Sequence, residues 1–219
     1  MRVGIIGSGR IGGTLARHLV KAGHAVAIAN SRNPDTLAGL EHDLGRLGRG
    51  GVHAANVPRT AAFGEVAVLA MPFGAYRELP AEPFAGRAVI DATNYFPERD
   101  GAIDELDDAD RTSSELIARH LPGARVVKAF NAMRADHLLQ FARHGGSQDR
   151  YGIPVAADDN DAKRIVFDLV NDVGFEPVDA GGLVDGGRRY GPGTDLFLAD
   201  LPASRLADAL DAPASRPSD

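Results

Sequence analysis

The chain has 219 residues, a net charge of −6 at pH 7 and no cysteine, and 44% of its residues are hydrophobic. That length supports one sizeable core, or one full domain with a small appendage. The acidity argues against nucleic-acid binding, which needs a basic face, and the missing cysteine removes disulfides, thiolate metal sites and a cysteine nucleophile, which fits a cytoplasmic protein.

The first half alternates short apolar runs with amphipathic stretches, as βαβ units and a parallel sheet require. Val3–Ile6 reads as a first strand, so near Met1 that it leaves no room for a signal peptide. Ile11, Leu15, Leu19 and Val20 mark the inner face of a helix ending at Gly23. Ala25–Ala29 is the second strand. Asn33 caps a helix opening at Pro34, with Leu37, Leu40, Leu44 and Leu47 on its inner side. Val52–Ala55, Val66–Met71, Ala88–Ala92 and Arg125–Phe130 follow as strands. The longest apolar run, Val66 to Phe73, falls far short of the roughly 20 residues of a membrane span. The acidic run Asp100 to Asp110 reads as a solvated loop. Thr112 and Glu115 form a capping box for a helix ending near Leu121, and another helix spans Ala135 to Arg143.

The polar break Gly145 to Asp149 is the expected boundary. It separates a Rossmann-type, doubly wound α/β domain (1–147) from a small C-terminal α/β subdomain (148–212) and a disordered tail (213–219). In the second unit Ile153–Ala156 reads as a strand. A helix buries Ile165, Val166, Leu169, Val170 and Val173, and Phe175–Val178 is a further strand. Gly181 to Thr194 reads as irregular, and Ser204 to Leu210 as a last short helix.

Gly7-Ser8-Gly9-Arg10-Ile11-Gly12 is a G-x-G-x-x-G between a strand and an amphipathic helix, the context that gives this motif its meaning. Gly7 permits the tight turn, Gly9 lets a pyrophosphate approach the backbone, and Gly12 lets the helix pack on the strand. The helix N-terminus then favours an anion. The second strand ends in Asn30-Ser31-Arg32, where an NAD site wants a carboxylate for the ribose 2′-OH. A hydroxyl and a guanidinium instead suit a 2′-phosphate, so NADP is the expected cofactor. The competing reading keeps Arg32 as a surface cation and has Asn30 serving NAD. Arg10 lies over the pyrophosphate or sits on a solvated helix face.

The nicotinamide end belongs beyond the carboxyl ends of the later strands. Ala70, Met71, Pro72 and Phe73 are candidates to wall it, and Asn94, Asn131 and Ala132 to bond the carboxamide or a substrate. Each has an ordinary packing or turn role as its alternative. Tyr95, Lys128 and His137 are the candidates for proton transfer, Lys128 being a cation inside an apolar strand. His18, His24, His42, His53, His120, His137 and His144 show no H-E-x-x-H and no ligand spacing, so no metal is expected.

Met1–Gly12, Ala29-Asn30-Ser31-Arg32, Asp91-Ala92-Thr93-Asn94, Val126-Val127-Lys128-Ala129-Phe130-Asn131 and Ile153-Pro154-Val155 with Asp158-Asp159 together resemble the NADPH-dependent deazaflavin (coenzyme F420) reductase family. They are also similar to the reductase domains of membrane metalloreductases. The resemblance covers roughly residues 1–200. It implies hydride transfer between NADP(H) and a deazaflavin or flavin-like acceptor. Ser8, Gly9, Ser31 and Arg32 would contact the NADP, a small C-terminal subdomain would close the cleft, and the chain would be a homodimer. Such chemistry needs positioning more than a catalytic acid. Arg188-Arg189-Tyr190 with Gly191-Pro192-Gly193, and the acidic stretch before Thr112, depart from the compact reductases. Arg188 and Arg189 either meet an acidic cofactor tail or are exposed loop cations. The alternatives are an NADPH-dependent reductase of a small carbonyl or imine, and a non-catalytic NADP-sensing module.

Overall fold

A computed structural model describes residues 1–48, 50–108, 111–143 and 150–212. In chain order the elements are β1 (Arg2–Ile6), α1 (Arg10–Lys21), β2 (Ala25–Ala29), a 3-10 turn (Pro34–Leu37) running into α2 (Ala38–Gly45), β3 (Val52–Ala54), α3 (Val57–Phe63) and β4 (Val66–Leu69). Then come 3-10 turns at Phe73–Glu78 and Glu82–Phe84, β5 (Ala88–Asp91), α4 (Pro97–Asp100), α5 (Asp104–Asp107), α6 (Ser113–His120), β6 (Arg125–Lys128) and α7 (Ala135–Gln140). The chain closes with β7 (Gly152–Val155), α8 (Asn160–Asp172), β8 (Glu176–Asp179), a 3-10 turn (Gly187–Tyr190) and α9 (Ala203–Asp211).

The six-stranded sheet runs β3-β2-β1-β4-β5-β6 and is parallel throughout. This is the doubly wound Rossmann order, with the direction of winding reversing between β1 and β4. Side chains alternate across each strand, so a sheet covered on both faces needs apolar residues at successive positions. Val3, Ile5, Ile28, Val68, Ile90 and Val127 meet Leu15 and Leu19 of α1 and Leu169 of α8 on one face. Ile6, Ala67, Leu69 and Val89 meet Phe84, Leu116 and Ile117 on the other.

β7 and β8 form a separate two-stranded parallel sheet. It is sewn to the edge of the large sheet by Lys128, whose N–H donates to the Ala156 carbonyl at 2.8 Å and whose carbonyl accepts from the Ala156 N–H at 3.1 Å. The expected boundary at 147/148 lies outside the described residues, as does the tail 213–219. Ile153, Val155, Val166, Leu169 and Val173 share a single core with the large sheet. α8 therefore covers that sheet while also serving the small one.

Several expected ends move. β4, β5 and β6 stop before Met71, Ala92 and Phe130, because the chain turns at the carboxyl edge and Phe130 takes a left-handed φ of 64°. α7 stops at Gln140, short of Arg143, and the Gly181–Thr194 segment contains the Gly187–Tyr190 turn. α3 has no clear signature in the sequence pattern. It is only seven residues long with Pro58 in its first turn, although Asn56 caps it by accepting from the Arg59 N–H at 3.0 Å.

The acidic run requires a correction. It is not a solvated loop over its described part, since Asp100 ends α4 and Asp104–Asp107 form α5. The Asp100 side chain is 1% exposed. It accepts from the Gly74 N–H at 3.1 Å and the Phe96 N–H at 3.0 Å. Asp107 accepts from the Tyr95 hydroxyl at 2.8 Å, and Glu105 pairs with Arg119 and Arg111. The carboxylates hold this segment over the end of β5 through backbone donors and arginines, which periodicity does not reveal. Ala109 and Asp110, at the end of the run, lie outside the described residues.

Candidate functional site

The glycine loop is shaped by steric contacts at two of its three glycines. Gly7 has φ +110°, and a Cβ there would lie 2.3 Å from the Ala70 carbonyl oxygen. A Cβ on Gly12 would lie 1.8 Å from the Gly7 carbonyl oxygen. At Gly9 a Cβ would meet nothing within 4 Å, so the protein's own packing does not require glycine there. Gly9 is the N-cap of α1 and gives it no side-chain cap, and the first turn holds no acidic residue. α6 is closed by Thr112 and Glu115, and α8 by Asp159. The backbone N–H groups opening α1, from Arg10, Ile11 and Gly12, therefore look outward for an acceptor, the arrangement that binds phosphate. Ser8 is half-buried beside them. Arg10 is exposed on the helix, with its guanidinium 4.0 Å from Asp136.

At the end of β2, Asn30 is a staple. Its Oδ1 accepts from the Arg32 N–H at 2.9 Å and its Nδ2 donates to the Thr36 hydroxyl at 2.9 Å. Both halves of the amide are thereby used in holding the turn. Ser31 and Arg32 are exposed on it, and the Arg32 guanidinium has no ion pair among the described residues. The turn offers a hydroxyl and a cation with no carboxylate, which fits a 2′-phosphate better than a bare ribose.

At the far end the loops after β5 and β6 are locked together. Asn94 Nδ2 donates to the Asn131 carbonyl at 2.9 Å, and Asn131 Nδ2 donates to Asn94 Oδ1 at 3.1 Å and the Tyr190 carbonyl at 3.2 Å. Asn131 Oδ1 is buried without a partner among the described residues. An unsatisfied buried acceptor costs about 1–3 kcal/mol, and it follows directly on the left-handed Phe130. Ala132 packs against Ala156 and Tyr190, and its carbonyl accepts from the Leu198 N–H at 2.9 Å.

Ala70, Met71 and Pro72 follow the end of β4, the first two half-buried and Pro72 exposed, and the Ala70 N–H donates to the Ile6 carbonyl at the end of β1 at 2.8 Å. Phe73 does not join them. Its ring is 0% exposed and packs at 4.8 Å from Tyr76 and 5.7 Å from Tyr95. It anchors the loop from beneath, because a phenyl ring gains more from the core than from a solvent-facing wall.

Of the three proton-transfer candidates, Tyr95 and Lys128 line one cleft and His137 lies apart from it. Lys128 donates to Asp91 at 3.0 Å and to the Thr93 carbonyl at 2.6 Å. Asp91 also accepts from the hydroxyls of Ser114 and Thr93, both at 2.6 Å, and the Tyr190 hydroxyl donates to the Lys128 carbonyl at 2.8 Å. All five residues are buried. Nothing in the local sequence pairs Lys128 with Asp91; the strand register, which sets Asp91 opposite Lys128, does so. The Tyr95 hydroxyl contacts Asp107 and the Gly101 carbonyl. Desolvation, then the bond to Asp107, pushes its pKa upward and makes it a poorer acid. His137 Nδ1 contacts Asp200 Oδ2 at 2.5 Å, tying α7 to the C-terminal segment.

Neither arginine of the Gly-rich segment is a free loop cation. Arg189 donates to the carbonyls of Leu210, Ala209 and Ala212, capping the C-terminus of α9. Arg188 lies 4.0 Å from Glu115. Among the described residues no group of three or more His, Asp or Glu could hold a metal ion, and no helix is long and apolar enough to cross a membrane.

Comparison with known proteins matches residues 2–95 to the family model described as NADP oxidoreductase, coenzyme F420-dependent. A metalloreductase of Rattus norvegicus, STEAP3, is 31% identical over 182 residues, which cover 83% of this chain and 34% of the rat protein. The chain thus spans about a third of that relative. A hypothetical protein from Sinorhizobium meliloti superposes with a TM-score of 0.78 at 30% identity, covering 92% of this chain and 95% of that one. A candidate F420-dependent NADP reductase from Arthrobacter sp. FB24 gives 0.70 at 26% identity, covering 84% and 86%.

Proposed function

The chain belongs to the coenzyme F420-dependent NADP oxidoreductase family, and from that premise we propose that it transfers hydride between NADP(H) and a deazaflavin or flavin-like acceptor. The observation that carries the cofactor assignment is the pairing of an uncapped α1 N-terminus with a stapled turn displaying Ser31 and Arg32. In this reading the N–H groups of Gly9, Arg10, Ile11 and Gly12 hold the pyrophosphate, with Ser8 beside them. Ser31 and Arg32 take the 2′-phosphate, and Asn30 fixes the turn that presents them. Ala70, Met71 and Pro72 border the ribose. In this reading Asn131 Oδ1 accepts an N–H from the carboxamide while Asn94 holds it in orientation, supported by its burial without a donor among the described residues.

The nicotinamide supplies the hydride when bound. The protein's own contribution is orientation and exclusion of water, because passage of hydride between two stacked rings needs little proton transfer. The commitments of Tyr95 and Lys128 to partners within the protein agree with this. The contact of Leu198 with Ala132, and of Asp200 with His137, supports a C-terminal unit that closes over the cofactor. The same reading takes the protein as a cytoplasmic homodimer.

The test is NADPH oxidation followed at its absorbance band with coenzyme F420, flavin mononucleotide, a ferric chelate and a small ketone as acceptors. Turnover with the deazaflavin or flavin is expected. Tight NADPH binding with no turnover on any of them would overturn the reading in favour of a cofactor sensor, and turnover on the ketone alone would favour a carbonyl reductase.

A further inference from the structure

A cleft of about 290 Å³ opens beyond the carboxyl ends of β5 and β6, between Tyr95, the first turn of α6 and the loop carrying Gly187, Arg188 and Gly191. Its volume is too small for a dinucleotide and suits one end of a fused heterocycle. Lys128 lines it, with a side chain only 4% exposed. An ammonium group has three N–H donors. Asp91 and the Thr93 carbonyl take two, and the third has no acceptor among the described residues. The Ser113 hydroxyl also lines the cleft and has no partner among the described residues. Tyr95 contributes a ring face, since its hydroxyl is held by Asp107.

Among the described residues the charged groups around this cleft are paired. Arg111 and Arg188 at the rim face Glu105 and Glu115, and Lys128 faces Asp91. A cleft with this pairing has little pull on a phosphate. It suits a neutral group with an oxygen at its edge, to which a buried cation can donate one further hydrogen bond. A Cβ on Gly187 or Gly191 would meet nothing within 4 Å, so these glycines leave the space open without being required by the protein's packing.

We infer that this cleft receives the pyrimidinedione edge of the hydride acceptor, with the third N–H of Lys128 donating to a ring carbonyl oxygen and Ser113 bonding the adjacent imide. The inference rests on the reading of the acceptor as a deazaflavin or flavin. It assigns Lys128 a place in the reaction. Hydride leaves the dihydronicotinamide with its electron pair, oxidising it. The pair enters the acceptor ring, whose reduced form carries its negative charge on the conjugated carbonyl edge until solvent supplies a proton. A fixed ammonium at that oxygen favours the reduced anion over the oxidised neutral ring.

The experiment uses the full chain saturated with NADP and titrates oxidised flavin mononucleotide and oxidised coenzyme F420 by their fluorescence, without turnover. Gly191→Leu fills the cleft from a backbone position, φ −82°, open to any residue. It is expected to weaken both probes at least 10-fold while leaving Tm and NADPH affinity at wild-type values. Ser113→Ala is expected to weaken them about 3- to 10-fold, as loss of one hydrogen bond implies. Lys128→Met is expected to weaken both oxidised probes at least 10-fold, as loss of a hydrogen bond from a charged donor implies. Should Lys128→Met fail to fold, Gly191→Leu still decides. Unchanged probe binding in Gly191→Leu overturns the inference, and does so alone if the wild type oxidises NADPH with either probe. If the wild type binds NADPH but neither probe, the inference and the flavin-type acceptor fall together.

Discussion

Replacing Arg32 with alanine removes the cation at the end of β2 and leaves the turn that presents it. Its side chain is exposed and has no ion pair among the described residues, and the turn is held by Asn30 through the Arg32 backbone N–H. Fold stability should therefore change by less than about 0.5 kcal/mol. The effect on binding follows from charge and exposure. Two unit charges about 4 Å apart interact by roughly 1 kcal/mol in bulk water and about 4 kcal/mol at the effective dielectric near a protein surface. A hydrogen bond to a charged group contributes about 1.5–3 kcal/mol. For an exposed site we take about 1–3 kcal/mol, a weakening of NADPH by roughly 5- to 150-fold. NADH lacks the phosphate and should lose less than about 3-fold. Arg32→Lys should fall between, since lysine keeps the charge and loses the planar fork. The NADPH difference should shrink as salt rises, because the Debye length falls to about 3 Å at 1 M. Titrations of both cofactors by nicotinamide fluorescence, at low and high salt, give the comparison. Equal losses for NADPH and NADH, or no loss for either, would refute the 2′-phosphate assignment.

Gly9→Ala should leave urea stability within about 0.5 kcal/mol and weaken NADPH and NADH alike, whereas Gly12→Ala should destabilise the fold by about 3 kcal/mol or more, because its Cβ would sit 1.8 Å from the Gly7 carbonyl oxygen. Lys128→Met should cost about 3–5 kcal/mol by leaving the Asp91 carboxylate buried and unpaired, and a double variant with Asp91→Leu should recover part of that loss in urea unfolding followed by circular dichroism. Burial pushes the Asp100 carboxyl upward, but bonds from Arg99 and from the Phe96 and Gly74 N–H groups outweigh it and hold the pKa below the ordinary value. A folded pKa below the unfolded one gives stability that is fully present above about pH 4 and is lost as pH falls through the folded value. Asp100→Asn should therefore be less stable than wild type at pH 7, with the gap closing below about pH 4. A gap that persists unchanged in acid would show that the carboxylate's charge is not what holds the segment.

Much of the scaffold was legible because it rests on local rules. Apolar runs at Val3–Ile6 and Val66–Leu69, with helix-period leucines between, require a parallel sheet covered on both faces. The glycine spacing fixes the turn into α1, and the lack of a carboxylate at Asn30-Ser31-Arg32 separates one cofactor from another before any coordinate is known. Phe73 stayed open between a cofactor wall and packing, because a phenylalanine just past a strand end has the same local signature whether it faces a ligand or the core. The acidic run was misread for the same kind of reason: Asp100 and Asp107 find their donors on Gly74, Phe96 and Tyr95, and charge counts carry no information about such partners.

The sequence by itself determined the order of the strands, the glycine turn into α1 and the groups offered at the end of β2, since each depends on residues within a few positions of one another. Only the tertiary structure decided which side chains are spent on holding the fold. Lys128 meets Asp91 through parallel register, Asn131 meets Asn94 and Tyr190 across three loops, and Arg189 closes α9. The physical reason is that burying a polar group requires a partner, and in a sheet wound this way the partner arrives from a strand or loop that lies far off in the chain.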